Sequence, residues 1–195
     1  MAFELEFFIR KTGAKISFEP IVAFGKNTAI PHHHTGDSKL EKDQFVLLDF
    51  GVKYQDYCSD MTRTVFFGSP TKEHQKIYQI VLDAQKAAVD FIKKNLKQNQ
   101  EIKAQDVDKI AREYIISKGY PIIPHSLGHG IGLQVHERPF LSPKSQDILK
   151  PGMIFSIEPG IYIPEFGGVR IEDLYLLDYN ALHKLTNSSH EFRSI

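Results

Sequence analysis

The sequence predicts an α+β domain on three observations. Two stretches have helical periodicity. Ile77, Ile80, Val81, Ala84, Ala88, Phe91 and Ile92 form an apolar stripe over Thr71 to Asn95, and Val107, Ile110, Ala111 and Tyr114 form another over Ala104 to Lys118. Outside them lie apolar runs of strand length: Phe45 to Phe50, Thr62 to Phe67, Met153 to Ile157 and Val169 to Leu177. An acidic residue sits inside or beside each run, namely Asp49, Asp60, Glu158 and Glu172.

In order, Ala2 to Thr12 reads as a helix with Leu5, Phe8 and Ile9 on one face, but without an N-cap. Its abrupt start leads us to expect that Met1 opens a fragment rather than a natural domain edge. Phe18 to Ala23 reads as a short strand and Gly25 to Thr35 as a loop carrying Pro31-His32-His33-His34. Lys39 to Asp43 is charged and turn-like. Phe45 to Phe50 and Thr62 to Phe67 read as paired strands, with Lys53 to Tyr57 as the hairpin between them. That hairpin brings Asp49 and Asp60 opposite or one diagonal step apart, with Cβ atoms roughly 4.5–8 Å from each other. Two carboxylates so close repel unless a cation sits between them. Gly119 and Pro121 end the second long helix. Both long helices read as packing elements without chemistry. Asp147 to Gly152 is a turn, Met153 to Ile157 runs as a strand into Glu158, and Gly160 to Pro164 continues extended. Glu165 to Gly168 is a loop, and Val169 to Leu177 returns as one strand alternating around Glu172. The second half thus loosely repeats the first, as a pair of pseudo-repeated halves.

Composition narrows the function. The chain has 195 residues, enough for one sizeable domain or two fused halves. Its 24 basic and 24 acidic residues cancel, so it lacks the basic footprint of a nucleic-acid binder. No apolar run approaches a membrane span and no signal peptide is recognised, so neither nucleic acid nor membrane is an expected partner. The single Cys58 excludes an internal disulfide and fits a reducing, cytoplasmic setting. With the acidic Asp60 two positions on, Cys58 is not expected to be the nucleophile.

The most informative stretch is Pro124-His125-Ser126-Leu127-Gly128-His129-Gly130-Ile131-Gly132-Leu133-Gln134-Val135-His136-Glu137, which holds three of the nine histidines. Its alternate glycines leave no side chain to cover His129, so a metal or substrate can approach the backbone. With the four carboxylates, His129 makes a hard, oxygen-rich ligand set for two divalent ions. Mn²⁺ suits it best, and Co²⁺, Fe²⁺ or Zn²⁺ are also accommodated. Two such ions about 3.5–4 Å apart share a water, lower its pKa towards neutrality and polarise a carbonyl, which is hydrolysis without a side-chain nucleophile.

Five separated motifs, LLDFG, SDMTRT, HSLGHGIGLQVHE, SIEPGIY and GVRIED, resemble those of the pita-bread metallopeptidases: methionine aminopeptidase, aminopeptidase P, prolidase and creatinase. The resemblance covers about Ser17 to Thr186. It implies a curved antiparallel sheet with helices on its convex face, and Asp49, Asp60, His129, Glu158 and Glu172 as metal ligands. It further implies that Asp60 and Glu172 bridge the ions and that Glu158 also relays a proton. His125 and His136 match histidines that contact the substrate and its tetrahedral intermediate, and His32 matches one in the substrate pocket. Tyr162 and Arg170 match residues that support the ligands and substrate.

The GVRIED motif is similar to the Xaa-Pro peptidase branch. The expected function is therefore hydrolysis of the bond before proline by a metal-bridging hydroxide, as an aminopeptidase or dipeptidase, with an Xaa-Pro peptide as partner. A homodimer is also expected. A creatinase-like C–N hydrolase and a non-catalytic binding module are the alternatives. Residues 1–195 are expected to form one catalytic domain, without the N-terminal domain and the start of the first helix that relatives in this branch carry. Because strands hold ligands rigidly, all four carboxylates are expected on strands.

Overall fold

In the computed structural model, which describes residues 1–195, helix α1 (Ala2–Lys11) is followed by β1 (Lys15–Ile16), β2 (Ile21–Phe24) and a 3-10 turn at Gly25–Ala29. Strands β3 (Gln44–Phe50), β4 (Val52–Tyr54), β5 (Tyr57–Cys58) and β6 (Met61–Phe67) complete the first half. The long helices are α2 (Lys72–Lys97) and α3 (Ala104–Ser117). The second half contains β7 (Gly128–Gly130), β8 (Glu137–Leu141), β9 (Ile154–Ile157), β10 (Gly160–Ile163), β11 (Gly167–Arg170), β12 (Asp173–Leu177) and β13 (Leu182–Lys184). No helix is long and apolar enough to cross a membrane.

Local chemistry sets these boundaries. Thr71 caps α2 by accepting from the His74 N–H, and the His74 ring accepts from the Thr71 N–H at 3.0 Å, a reciprocal capping box. After α3 the chain turns at Gly119, whose φ of +83° is left-handed. Strand β2 begins at Ile21 rather than at Phe18, since Pro20 has no N–H to donate to a ladder. The region between β3 and β6 is more than a turn. β4 and β5 form a small hairpin with its tip at Gln55 and Asp56, both at positive φ, and β1 pairs on its outer side.

The strands divide into four antiparallel sheets instead of one continuous sheet. Their orders are β2-β3-β6, β1-β4-β5, β13-β12-β9-β7-β8 and the pair β10-β11. Val169 to Leu177 is not one strand, because Ile171 and Glu172 separate β11 from β12. At this break the Glu172 N–H leaves its own half and donates to the carbonyl of Thr62 at 3.1 Å, joining the halves. Within the second half, the Glu158 N–H donates to the carbonyl of Leu127 at 2.8 Å, continuing the register in which β9 pairs with β7.

The apolar stripes of α2 and α3 form one core with Phe155, Ile157, Ile161, Val169 and Ile171. Strand side chains alternate, so the interleaved Ser156, Glu158, Arg170 and Glu172 face away from the helices. The helices therefore cover one side, and the acidic residues open on the other.

Candidate active site

Asp49 lies on β3, opposite Thr62 of β6. Asp60 precedes β6, two residues from Thr62, and so stands one diagonal step from Asp49. Of the four carboxylates only Asp49 lies within a strand. Asp60, Glu158 and Glu172 occupy the gaps where one ladder stops and another begins. The expectation that strands carry all four is corrected by this. Outside a ladder, the Glu172 N–H is free to tie the second half to Thr62 of β6.

His129 lies on β7, whose pairing with β8 is bulged between His129 and Gly130. The glycines around it serve the protein's own backbone, not an incoming ligand. A Cβ at Gly128 would stand 2.0 Å from the Ser156 carbonyl oxygen, and one at Gly130 would stand 2.3 Å from that of Arg138. Only glycine lets three chains approach so closely here.

Aspartates 49 and 60, Glu158, Glu172 and His129 line one cavity of about 320 Å³, together with His32, His125, His136 and Arg170. Ligand atoms of Asp60, His129 and Glu172 lie within 4.8 Å of one another. The His129 Nδ1 is 3.0 Å from the carbonyl of Gly130, which can only accept, so Nδ1 carries the proton. The bare Nε2 then faces Glu158 Oε1 at 3.4 Å and Asp60 Oδ2 at 3.7 Å. Burial holds the His129 ring down at about 4, so it is neutral near pH 7.

Three of the carboxylates each leave one oxygen unsatisfied. Asp49 Oδ1, Asp60 Oδ1 and Glu172 Oε1 are buried without a hydrogen-bond partner. Burial, and then the charges of Asp49 and Glu158, push the Asp60 carboxyl up to about 9. Burial pushes Glu158 up to about 8 against the opposing charge of Arg170. Burial and the charges of Asp60, Glu158 and Asp49 raise Glu172 well above the carboxylate range. Converging lone pairs with no donor among them are what a bound cation satisfies, and the hard donor set fits divalent ions.

One hydrogen-bonded chain borders the cluster. Arg170 donates from Nη2 to Asp49 Oδ2, from Nε to Thr62 Oγ1 at 3.1 Å and from Nη1 to the Tyr162 hydroxyl at 3.0 Å. Tyr162 meets His125 Nε2 at 2.8 Å. The His125 Nδ1 faces its neighbour's carbonyl at 2.7 Å, so Nε2 accepts from the Tyr162 hydroxyl. Burial lowers His125 to about 4. His136 returns to the cavity because Ile131 to His136 forms an irregular loop, and its ring centroid lies 4.3 Å from that of His129. His32 lines the same cavity from the loop before β3, beside Pro31, whose carbonyl accepts from Arg170 Nη1 at 3.0 Å.

The sequence profile of metallopeptidase family M24 matches residues 1–178. The chain belongs to this family. It is 43% identical over 193 residues to the Xaa-Pro dipeptidase of Pyrococcus furiosus, covering 98% of this chain and 54% of that protein. It is 45% identical over 193 residues to an uncharacterised peptidase of Bacillus subtilis, YqhT, again 98% of this chain and 53% of that one. Among solved structures, a dipeptidase from Pyrococcus horikoshii superposes with a TM-score of 0.92 at 44% identity, over 100% of this chain and 53% of the other. An X-Pro aminopeptidase from Thermotoga maritima gives 0.91 at 36% identity, over 100% and 54%. This M24 chain thus spans about half the length of the relatives it matches, and its α+β architecture is the pita-bread fold of the family.

Several residues that hold the candidate ligands of this M24 chain in place are not evident from those ligands alone. Thr62 Oγ1 donates to Glu172 Oε2 at 2.7 Å, and Ser156 Oγ donates to Glu158 Oε1 at 3.1 Å. Both lie inside motifs already noted, SDMTRT and SIEPGIY. The long helices also reach the site, which corrects their reading as packing elements alone. On α3, Arg112 pairs with Asp108 at 2.7 Å and donates to the carbonyls of Ile123 and, at 3.0 Å, His125. Asp108 Oδ1 accepts the Leu127 N–H at 3.1 Å. This buried pair fixes the segment that presents His125. Its only trace in the sequence was an acidic and a basic residue four positions apart, beside Val107 and Ala111 of the apolar stripe.

Proposed function

We propose that this M24 protein is a dinuclear metallopeptidase that hydrolyses the peptide bond before proline. The observation that carries the reading is the convergence of ligand atoms of Asp60, His129 and Glu172 within 4.8 Å of one another, in a cavity where Asp49, Asp60 and Glu172 each bury a carboxylate oxygen without a partner. Asp49, Asp60, His129, Glu158 and Glu172 would hold two divalent ions, Mn²⁺ suiting this donor set best. Bound there, the ions supply the Lewis acidity that activates water and polarises the scissile carbonyl.

The chain's own groups supply the rest. Glu158 faces the cavity with one oxygen held by Ser156, placed to take a proton and pass it to the leaving amine. Arg170 fixes Asp49 through a charge-assisted bond and compensates the acidic cluster. His136 and His32 stand on the cavity wall without a ligand's place, suited to donate to the peptide carbonyl as negative charge develops. His125 lines the cavity, its ring held from behind by the buried Tyr162 hydroxyl. Phe18, Ile21 and Phe140 give the cavity an apolar wall suited to a pyrrolidine ring. Dipeptide substrates are favoured by the relatives, 43% identity to an Xaa-Pro dipeptidase against 36% to an X-Pro aminopeptidase.

The test is hydrolysis by the Mn²⁺-loaded protein of Xaa-Pro dipeptides, Xaa-Pro-Yaa tripeptides and Xaa-Ala controls. Cleavage of the proline peptides, fastest for dipeptides, is expected. Equal cleavage of Xaa-Ala peptides, or none of any peptide by fully loaded protein, would overturn the reading.

A further inference from the structure

Helix α2 carries a glutamine on its buried face. Gln85 is 2% exposed, in a stripe with Val81, Ala84, Ala88 and Ile92. A buried amide without partners is strongly unfavourable, so its partners say what it does. Gln85 Nε2 lies 3.0 Å from the carbonyl oxygen of Ile157, 3.4 Å from that of Ile171 and 3.0 Å from Asp173 Oδ2. Ile157 and Ile171 immediately precede Glu158 and Glu172.

Both carbonyls sit where the ladder fails. Pairing of β9 with β12 stops at Ile157–Asp173, and pairing of β10 with β11 begins at Gly160–Arg170. Between them the Ile171 N–H reaches the Pro159 carbonyl at 3.4 Å, a long bond. Elsewhere the ladder fixes the distance between strands. Here both candidate metal glutamates occupy the gap, and the Gln85 amide gathers the two freed carbonyls on the helix side. Asp173 extends the clamp. Its Oδ1 accepts from Arg63 Nη2 at 2.6 Å, and Arg63 Nη1 donates to the carbonyl of Glu172 itself at 2.6 Å. Asp173 Oδ2 also meets His190 Nε2 at 2.6 Å. Gln85 does not line the cavity.

We infer that Gln85 is a positioning residue for the metal centre, fixing the separation of Glu158 from Glu172 and so the spacing of the two ions. This rests on the metal reading above. Residues that orient ligands from behind change metal affinity or activity about 10–100-fold when removed.

The variant Gln85→Met keeps the length and removes both N–H donors. Metal-free wild type and variant are titrated calorimetrically with Mn²⁺, and kcat and KM are measured on an Xaa-Pro dipeptide. The variant is expected to bind one of the two ions at least about tenfold more weakly and to lose about tenfold or more in kcat, with KM nearly unchanged. Unchanged affinity for both ions and unchanged kcat, even with a lowered unfolding temperature, would make Gln85 a packing residue and overturn the inference. If the variant does not fold, the ¹⁵N resonances of the Gln85 side-chain amide are followed in wild type during Zn²⁺ titration. Slow exchange and a shift on loading support the clamp, and resonances indifferent to loading overturn it. Failure of wild type to bind Mn²⁺ would instead remove the metal reading, and the inference with it.

Discussion

His129 presents the lone pair of Nε2 to Glu158 Oε1 across 3.4 Å, because its Nδ1–H is already given to the carbonyl of Gly130 at 3.0 Å. Two acceptors so placed repel, and the repulsion ends when either a proton or a cation lies between them. The behaviour of the site follows from that competition.

Without metal, protons do the work. The folded-state values of Asp60 and Glu158, about 9 and about 8, lie above the ordinary 3.8 and 4.5. A carboxyl raised in this direction contributes stability that is present below its unfolded value and is lost as pH rises through the folded one. The metal-free protein is therefore expected to lose thermal stability between about pH 5 and pH 9. Mn²⁺ should raise the unfolding temperature more at pH 8 than at pH 5.5. Scanning calorimetry at the two pH values checks this, and a metal-induced gain larger at pH 5.5 would refute it.

Glu158→Gln removes the proposed proton relay and keeps the shape of the side chain. The variant should remain folded by circular dichroism and lose about 10²–10⁴ in kcat, the usual contribution of general acid–base catalysis. Retention of most turnover would show that Glu158 only supports the structure.

His136 shares the cavity without being needed as a ligand. His136→Ala should keep its metal content and lose about 10²–10³ in kcat, as expected for removal of one donor to a developing oxyanion. Metal analysis and kinetics on the same sample separate the possibilities. Lost metal would make His136 a ligand, and unchanged kcat would remove it from the mechanism.

Arg112 makes its contribution from α3. Truncating one member of a buried ion pair typically costs about 3–5 kcal/mol. Arg112→Met should therefore fall in that range in denaturant unfolding. It should also lower kcat/KM through a loosened His125, with Mn²⁺ stoichiometry unchanged. A stability loss with kcat/KM intact would confine the pair to folding.

The candidate ligands were legible in the sequence because most are acidic or imidazole groups inside an apolar or glycine-rich stretch, where a bare charge needs a reason. Asp49 within Phe45 to Phe50 is the clearest case. The break at Ile171 and Glu172 was not legible, because Val169 to Leu177 keeps its alternation straight through the gap. Periodicity reports which way a side chain faces, and not whether its backbone has a ladder partner. The supports were hidden for another reason. Gln85 meets carbonyls 72 and 86 residues away, a pairing that no local pattern encodes. Its polar side chain beside Ala84 and Ala88 marked the place, and only the fold supplied the partners.

The central claim is that five residues form one two-ion site, and stoichiometry tests it most directly. Metal-free protein is titrated with Mn²⁺ at pH 8 in a calorimeter, and the dialysed product is measured by elemental analysis. Saturation at two ions per chain is predicted. A plateau at one ion, or no uptake by folded protein, would contradict the account.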